Sequence, residues 1–216
     1  MITGTNTVSR FTPSLMSHEL LERLFVARER TLNAMLARVD AAATSPERNH
    51  TLLVGPRGAG APTLVDPVVR QRDEMGLAGA ALQVAWLSED AWTIVSYRHL
   101  LTAIAERLEP PVDGELPRST EQLEAVLSRA ADDGGPIVVL LENLDRILNA
   151  VGNEGQQRLR HLLQAERSLL LLATSTRLDR TLSDQVSPFY AFFTSTRLEP
   201  FDIDEELLSN VVDEVA

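Results

Sequence analysis

Apolar residues along the chain recur with two alternating periods, and that alternation predicts the architecture. Within residues 18–43, Leu20, Leu21, Leu24, Phe25, Leu32, Leu36 and Val39 fall at helical spacing, broken near residues 25–28, which predicts two short helices. Ser, Pro and Asn in residues 44–49 mark a loop. The apolar run 51–54 then reads as a first strand, followed by a glycine-rich turn at 55–60 and a helix over 63–75 through Leu64, Val68 and Val69. Residues 81–87 predict a second strand, and 97–108 an amphipathic helix with Leu100, Leu101, Ile104 and Leu108 on one face. The three prolines of residues 109–118 make a linker. Ser119 with Gln122 three positions on is a capping-box pattern, opening a helix to about residue 131 that residues 133–136 stop. The run 137–141 is wholly β-branched or Leu, as in a strand covered on both faces of a parallel sheet. A helix over 156–165, an apolar strand at 169–173, a fifth strand at 196–198 and a closing helix over 205–215 complete the pattern.

Strands alternating with helices predict an open parallel sheet with helices on both faces, whose ligands sit at the carboxyl ends of the strands. The organisation is one domain over residues 18–216, preceded by a flexible lead-in at 1–17. That lead-in mixes Thr, Ser, Asn and Pro without a basic region and apolar stretch, so it is unlike a secretory signal. The longest apolar runs, 137–141 and 169–173, fall far short of the roughly 20 residues that span a bilayer.

Composition narrows the function. The 216 residues, 44% of them hydrophobic, suffice for a substantial core, and the lack of cysteine removes thiolate and disulfide chemistry and fits a reducing, cytoplasmic setting. A net charge of −11 argues against a nonspecific nucleic-acid binder, which needs a clustered basic face. All 20 basic residues are arginine, so any chemistry that requires a lysine has none to use.

The segment Gly55-Pro56-Arg57-Gly58-Ala59-Gly60-Ala61-Pro62-Thr63 has the glycine spacing of the phosphate-binding loop GxxxxGK[ST], placed between a strand and a helix. In an intact loop, backbone N–H groups and the helix N-terminus cradle phosphate, the lysine reaches the terminal phosphates and the hydroxyl holds magnesium. Ala61 occupies the lysine position and Pro62 the hydroxyl position, and Pro62 also removes an N–H. Thr63 is then the candidate hydroxyl for magnesium. Taken alone, the turn reads equally as packing of helix on strand. The second motif is the strand 137–141 running into Glu142-Asn143-Leu144-Asp145, which has the shape of a Walker B segment. Glu142 stands where the magnesium-coordinating carboxylate belongs and Asn143 where a water-activating Glu is expected. An amide orients water but takes no proton from it. The plain alternative is a set of polar residues beyond a strand end.

With these motifs, Phe25-Val26-Ala27-Arg28-Glu29-Arg30 is similar to the FVGRE-type entry of AAA+ proteins of the origin-recognition and STAND ATPase group. The resemblance covers most of the chain. It implies a three-layer P-loop NTPase core with a five-stranded parallel sheet, its helical lid absent or truncated because the chain ends within the lid's first helix. The cofactor it implies is ATP with magnesium, held at residues 55–63 and Glu142. The strand ending Ala173-Thr174-Ser175 resembles the family's fourth strand, making Ser175 the sensor-one position beside Thr174; a helix cap is the alternative role. No arginine stands in 187–193, where the family's trans-acting arginine lies, and Arg177 and Arg180 are nearby candidates that read more readily as surface charge. The aromatics Phe189, Tyr190, Phe192 and Phe193 read as core in preference to a partner patch. His18, His50, His99 and His161 lack metal-ligand spacing and are assigned no chemistry.

Three functions are compatible with these residues. In the first, the chain is a regulatory or scaffold module with a degenerate phosphate loop, weak or absent ATP hydrolysis, and a protein partner or a second copy of itself as its contact. In the second, it is a working ATPase in a larger assembly, with Arg57 replacing the lysine charge and Thr63 the hydroxyl. The third, a DNA-associated initiator-like ATPase, rests on fold resemblance and runs against the acidity.

Overall fold

The computed structural model describes residues 29–45, 48–56, 82–87, 93–109, 111–112, 114–165, 169–178 and 180–198. Among the described residues six strands form one sheet: β1 (Thr51–Val54), β2 (Gln83–Leu87), β3 (Leu108–Glu109), β4 (Ile137–Leu141), β5 (Leu169–Ser175) and β6 (Thr194–Arg197). Their order is β3-β2-β4-β5-β1-β6. The five strands β1, β2, β4, β5 and β6 are parallel, as expected, and two-residue β3 adds an antiparallel edge beside β2.

The continuous apolar runs follow from coverage on both faces. On one face α1 (Glu29–Thr44) lays Leu32, Met35, Leu36 and Val39 against Leu53, Val138, Leu140, Leu170 and Leu172. On the other, α2 (Tyr97–Glu106), α3 (Thr120–Gly134) and α4 (Leu144–Ala165) pack on Leu52, Val139, Leu141, Leu169 and Leu171. Successive strand residues therefore enter opposite cores, and all five residues of β4 are buried. A short α5 (Arg180–Ser183) precedes β6. Among the described residues no helix is long and apolar enough to cross a membrane.

Local chemistry sets the ends. Ser119 caps α3 by accepting from the backbone N–H of Gln122, and Ser96 caps α2 by accepting from that of His99. The third helix runs three residues past the expected stop, to Gly134, and ends at Gly135 with a positive φ of 83°. Gln83 closes that end by donating from its side-chain amide to the carbonyls of Ala130 and Gly135, at 2.6 and 3.1 Å.

Several boundaries differ from the sequence expectation. The helix expected over 97–108 stops at Glu106, because Leu108 turns into β3 and buries against β2. A helix begins at Leu144, twelve residues before the expected start at 156; Gly152, at φ 68° and ψ 178°, kinks α4 between its two halves. The last strand begins at Thr194 and not at 196, because pairing with β1 extends down to Thr51. Lead-in 1–17, the first of the two N-terminal helices, the helix at 63–75 and the closing helix at 205–215 lie outside the described residues.

Candidate functional site

Parallel pairing fixes which residues share the carboxyl edge. Val54 is in register with Ser175 across β1 and β5, and Leu141 with Ala173 across β4 and β5. The Gly55 N–H donates to the Ser175 carbonyl at 3.0 Å, and the Glu142 N–H to the Leu87 carbonyl at 3.0 Å. Gly55, at the head of the glycine-rich segment, and Glu142 therefore leave the same edge of the sheet with one strand between them, on the order of 10 Å at normal strand spacing. Gly55 is buried and Pro56 exposed, while Arg57, Gly58, Ala59, Gly60, Ala61, Pro62 and Thr63 lie outside the described residues.

Alternation decides which face each polar group takes. Val138 and Leu140 enter the core beneath α1, so Glu142, the next even position, continues on that face. Leu170 and Leu172 do the same on β5, which puts Thr174 there beside Glu142, while Ser175 follows Ala173 onto the opposite face. The hydrogen bonds agree. Thr174 Oγ1 accepts from the Asn143 backbone N–H at 3.2 Å, whereas Ser175 Oγ donates to the Arg177 carbonyl at 2.7 Å. Thr174, not Ser175, touches the acidic segment. The sequence names both residues, and only the strand register separates them.

Glu142 is 3% exposed, and its Oε1 accepts from the indole Nε1–H of Trp86 at 3.2 Å. A buried carboxylate needs such a donor. Asn143 adopts φ 56°, a left-handed conformation that asparagine tolerates better than most residues. Its carbonyl accepts from the N–H groups of Arg146 and Ile147 at 3.0 and 3.2 Å, so Asn143 opens α4. Asp145, in the first turn, is also buried: Oδ2 accepts from Thr176 Oγ1 at 3.4 Å, and Oδ1 has no hydrogen-bond partner among the described residues. An acidic side chain there is favoured by the positive end of the helix dipole.

Among the described residues no group of three His, Cys, Asp or Glu is arranged to hold a metal. One buried carboxylate with a hydroxyl beside it fits the role of a partial ligand to magnesium, which typically takes one or two carboxylates plus phosphate oxygens. Trp86 is the site residue that the sequence does not disclose. It reads as an ordinary apolar strand position until β2 is registered beside β4, with Trp86 opposite Leu140 and Leu87 opposite Leu141.

The other candidates lie apart or serve packing. Arg177 is exposed on the turn after β5. Phe189 is buried in the core, flanked by Phe192 edge-on and Phe193 stacked at centroid distances of 5.2 and 5.6 Å; Tyr190 is 42% exposed. This group sits by the amino end of β1, where Phe192 stacks on His50 at 4.9 Å, the edge opposite Glu142. Nδ1 of His50 accepts from the Leu171 N–H at 3.1 Å, and burial pushes its pKa down to about 4. It extends the β1–β5 pairing.

No protein-family model matches the chain, and no curated protein matches it by sequence. Its fold is shared with solved structures of ORC and Cdc6 proteins. The ORC2 protein of Aeropyrum pernix, solved in ADPNP and ADP complexes, superposes with a TM-score of 0.67 at 14% identity, over 88% of this chain and 51% of that one. The Cdc6p protein of Pyrobaculum aerophilum gives 0.64 at 13% identity, covering 95% and 52%. Drosophila ORC bound to DNA gives 0.61 at 16%, covering 99% and 52%. The chain thus spans about half the length of the structures it matches.

Proposed function

We propose that the chain is a nucleotide-binding AAA+-type module in which ATP hydrolysis is weak or lost, acting as a regulatory or scaffold element toward a protein partner or a second copy of itself. ATP with magnesium is the ligand, with residues 55–63 toward the phosphates and Glu142 and Thr63 toward the metal. The observation that carries the reading is Asn143. At the position where a carboxylate would take a proton from water, this residue has an amide, a backbone in the left-handed region and its N–H engaged by Thr174. Ala61 in place of lysine supports it: removing one member of a charged phosphate contact costs about 2 to 5 kcal/mol. A reducing compartment such as the cytoplasm suits a chain without cysteine.

The test is calorimetry with ATP and magnesium, followed by turnover. Weak binding without steady hydrolysis is expected; micromolar binding with steady turnover would refute the scaffold role and favour the working ATPase, with Arg57 and Thr63 as substitutes. The double variant Ala61→Lys, Pro62→Thr is expected to strengthen binding. If it does not, the phosphate-loop assignment is wrong.

The DNA-bound Drosophila structure gives a second reading, a DNA-associated module. The net charge of −11 sets it behind the first. A salt-dependent mobility shift of labelled duplex DNA is the result that would reverse that order.

A further inference from the structure

We propose that Trp86 is a positioning residue for the acidic tip, its indole N–H fixing the rotation of the Glu142 carboxylate on which a divalent cation would be held. This rests on the nucleotide-site reading above for the cation's role, and on geometry for the residue. Trp86 lies opposite Leu140 in the β2–β4 register, so the side chain two positions on, at Glu142, is its diagonal neighbour on the same face. The Nε1–H reaches Glu142 Oε1 at 3.2 Å. Glu142 is itself tied to β2 by its N–H bond to the Leu87 carbonyl, which holds the backbone while the indole holds the far end of the side chain.

The choice of donor matters. An indole N–H donates only, so it supports the carboxylate as an acceptor and never competes by offering a lone pair to a metal. Glutamate has more rotatable bonds than aspartate, and a fixed partner at its end limits the conformations it must lose when a cation arrives. Groups of this kind, outside the coordination sphere yet bonded to a ligand, set metal affinity by about 10- to 100-fold. Half-buried Trp86 also contributes area to the core beneath α1, so a substitution must keep as much of that area as it can while removing the donor. Trp86→Phe removes the donor and keeps an aromatic ring at the position, at some loss of volume.

The test uses terbium alone, a hard, oxygen-seeking ion whose emission is sensitised by a nearby indole. The chain has two tryptophans, so a Trp92→Phe background leaves Trp86 as the sole indole sensitiser. Terbium emission excited through Trp86 is expected, displaced by magnesium and abolished by Glu142→Gln. Calorimetry is then expected to show an affinity about 10-fold weaker in Trp86→Phe, with unchanged far-ultraviolet dichroism. Absence of sensitised emission, its survival in Glu142→Gln, or equal affinities of wild type and Trp86→Phe would each overturn the proposal. Because no nucleotide is present, a chain that failed to bind ATP would sink the function proposed above and leave this readout intact.

Discussion

The backbone N–H of Asn143 donates to Thr174 Oγ1 at 3.2 Å, joining the turn after β4 to the end of β5 at the edge where the sheet presents its polar groups. Thr174 is buried, so its loss is not made good by water. Thr174→Val keeps the shape and strands that N–H, and is expected to cost about 1–3 kcal/mol of stability. Urea unfolding midpoints check this. Ser175→Ala, which removes only bonds to Arg177 within its own turn, is expected to cost less and to leave the Asn143 turn unchanged.

Asn143 itself sets a conflict between fold and chemistry. Its φ of 56° suits asparagine or glycine, and a longer side chain there is strained. Asn143→Glu in the Ala61→Lys, Pro62→Thr background is therefore expected to raise ATP turnover while lowering stability by about 1 kcal/mol. Asn143→Gly is expected to leave stability within about 1 kcal/mol of the parent. Phosphate release and thermal melts on the same samples separate the two effects. Turnover that does not respond to the carboxylate would show that Asn143 does not stand at the water-activating position.

Four of the five parallel strands, β1, β2, β4 and β5, were legible as apolar runs flanked by turn chemistry, whereas β6 reads Thr-Ser-Thr-Arg and carries no such run. What periodicity leaves out is register. Glu142 is recognisable in sequence as the acid after a buried strand, yet its partner Trp86 is 56 residues away and is found only when β2 is laid beside β4. The same holds for Thr174 against Ser175: consecutive residues of like chemistry point to opposite faces, and a one-position choice cannot be made without knowing which face each core occupies. The early start of α4 was in principle readable, since Leu144, Ile147, Leu148 and Val151 fall at helical spacing. Gly152 and Gly155 hid it by resembling a break.

His50 predicts an acid sensitivity remote from the site. Its Nδ1 accepts from the Leu171 N–H, so a proton there would replace a hydrogen bond with two opposed donors. Burial holds the folded pKa near 4, below the ordinary histidine value of 6.5. Between these values the unfolded chain binds the proton and the folded chain does not, so this contribution is complete above pH 6.5 and is lost as pH falls toward 4. Relative to pH 7, about 1 kcal/mol is expected to be lost at pH 5.5. His50→Asn keeps an acceptor without the titration, and its urea midpoint is expected to change less than that of the wild type between those two pH values. Equal changes in the two proteins would contradict the assignment.

Gly155 tests how closely the second half of α4 must approach α2. A Cβ built at this position would lie 2.9 Å from the Cβ of Val151, across the Gly152 kink of the same helix, and 3.2 Å from that of Tyr97 on α2, atoms fixed to the helix backbones and unable to swing aside. Alanine ordinarily gains about 1 kcal/mol over glycine inside a helix. Overpacking of a tight contact costs about 1–3 kcal/mol, so the clash outweighs the gain and Gly155→Ala is expected to be destabilising. The displacement would also pull on the pairing beside it, where Tyr97 donates to Glu124 at 2.8 Å and Arg158 bonds Glu121 and Glu124 at 3.0 and 3.2 Å. The Glu121 pair is exposed and the Glu124 pair only partly buried, so each is worth little alone. High salt is therefore expected to leave the cost of Gly155→Ala nearly unchanged, because the cost is steric. A variant as stable as the parent in urea would show that α2 and α4 can separate without penalty.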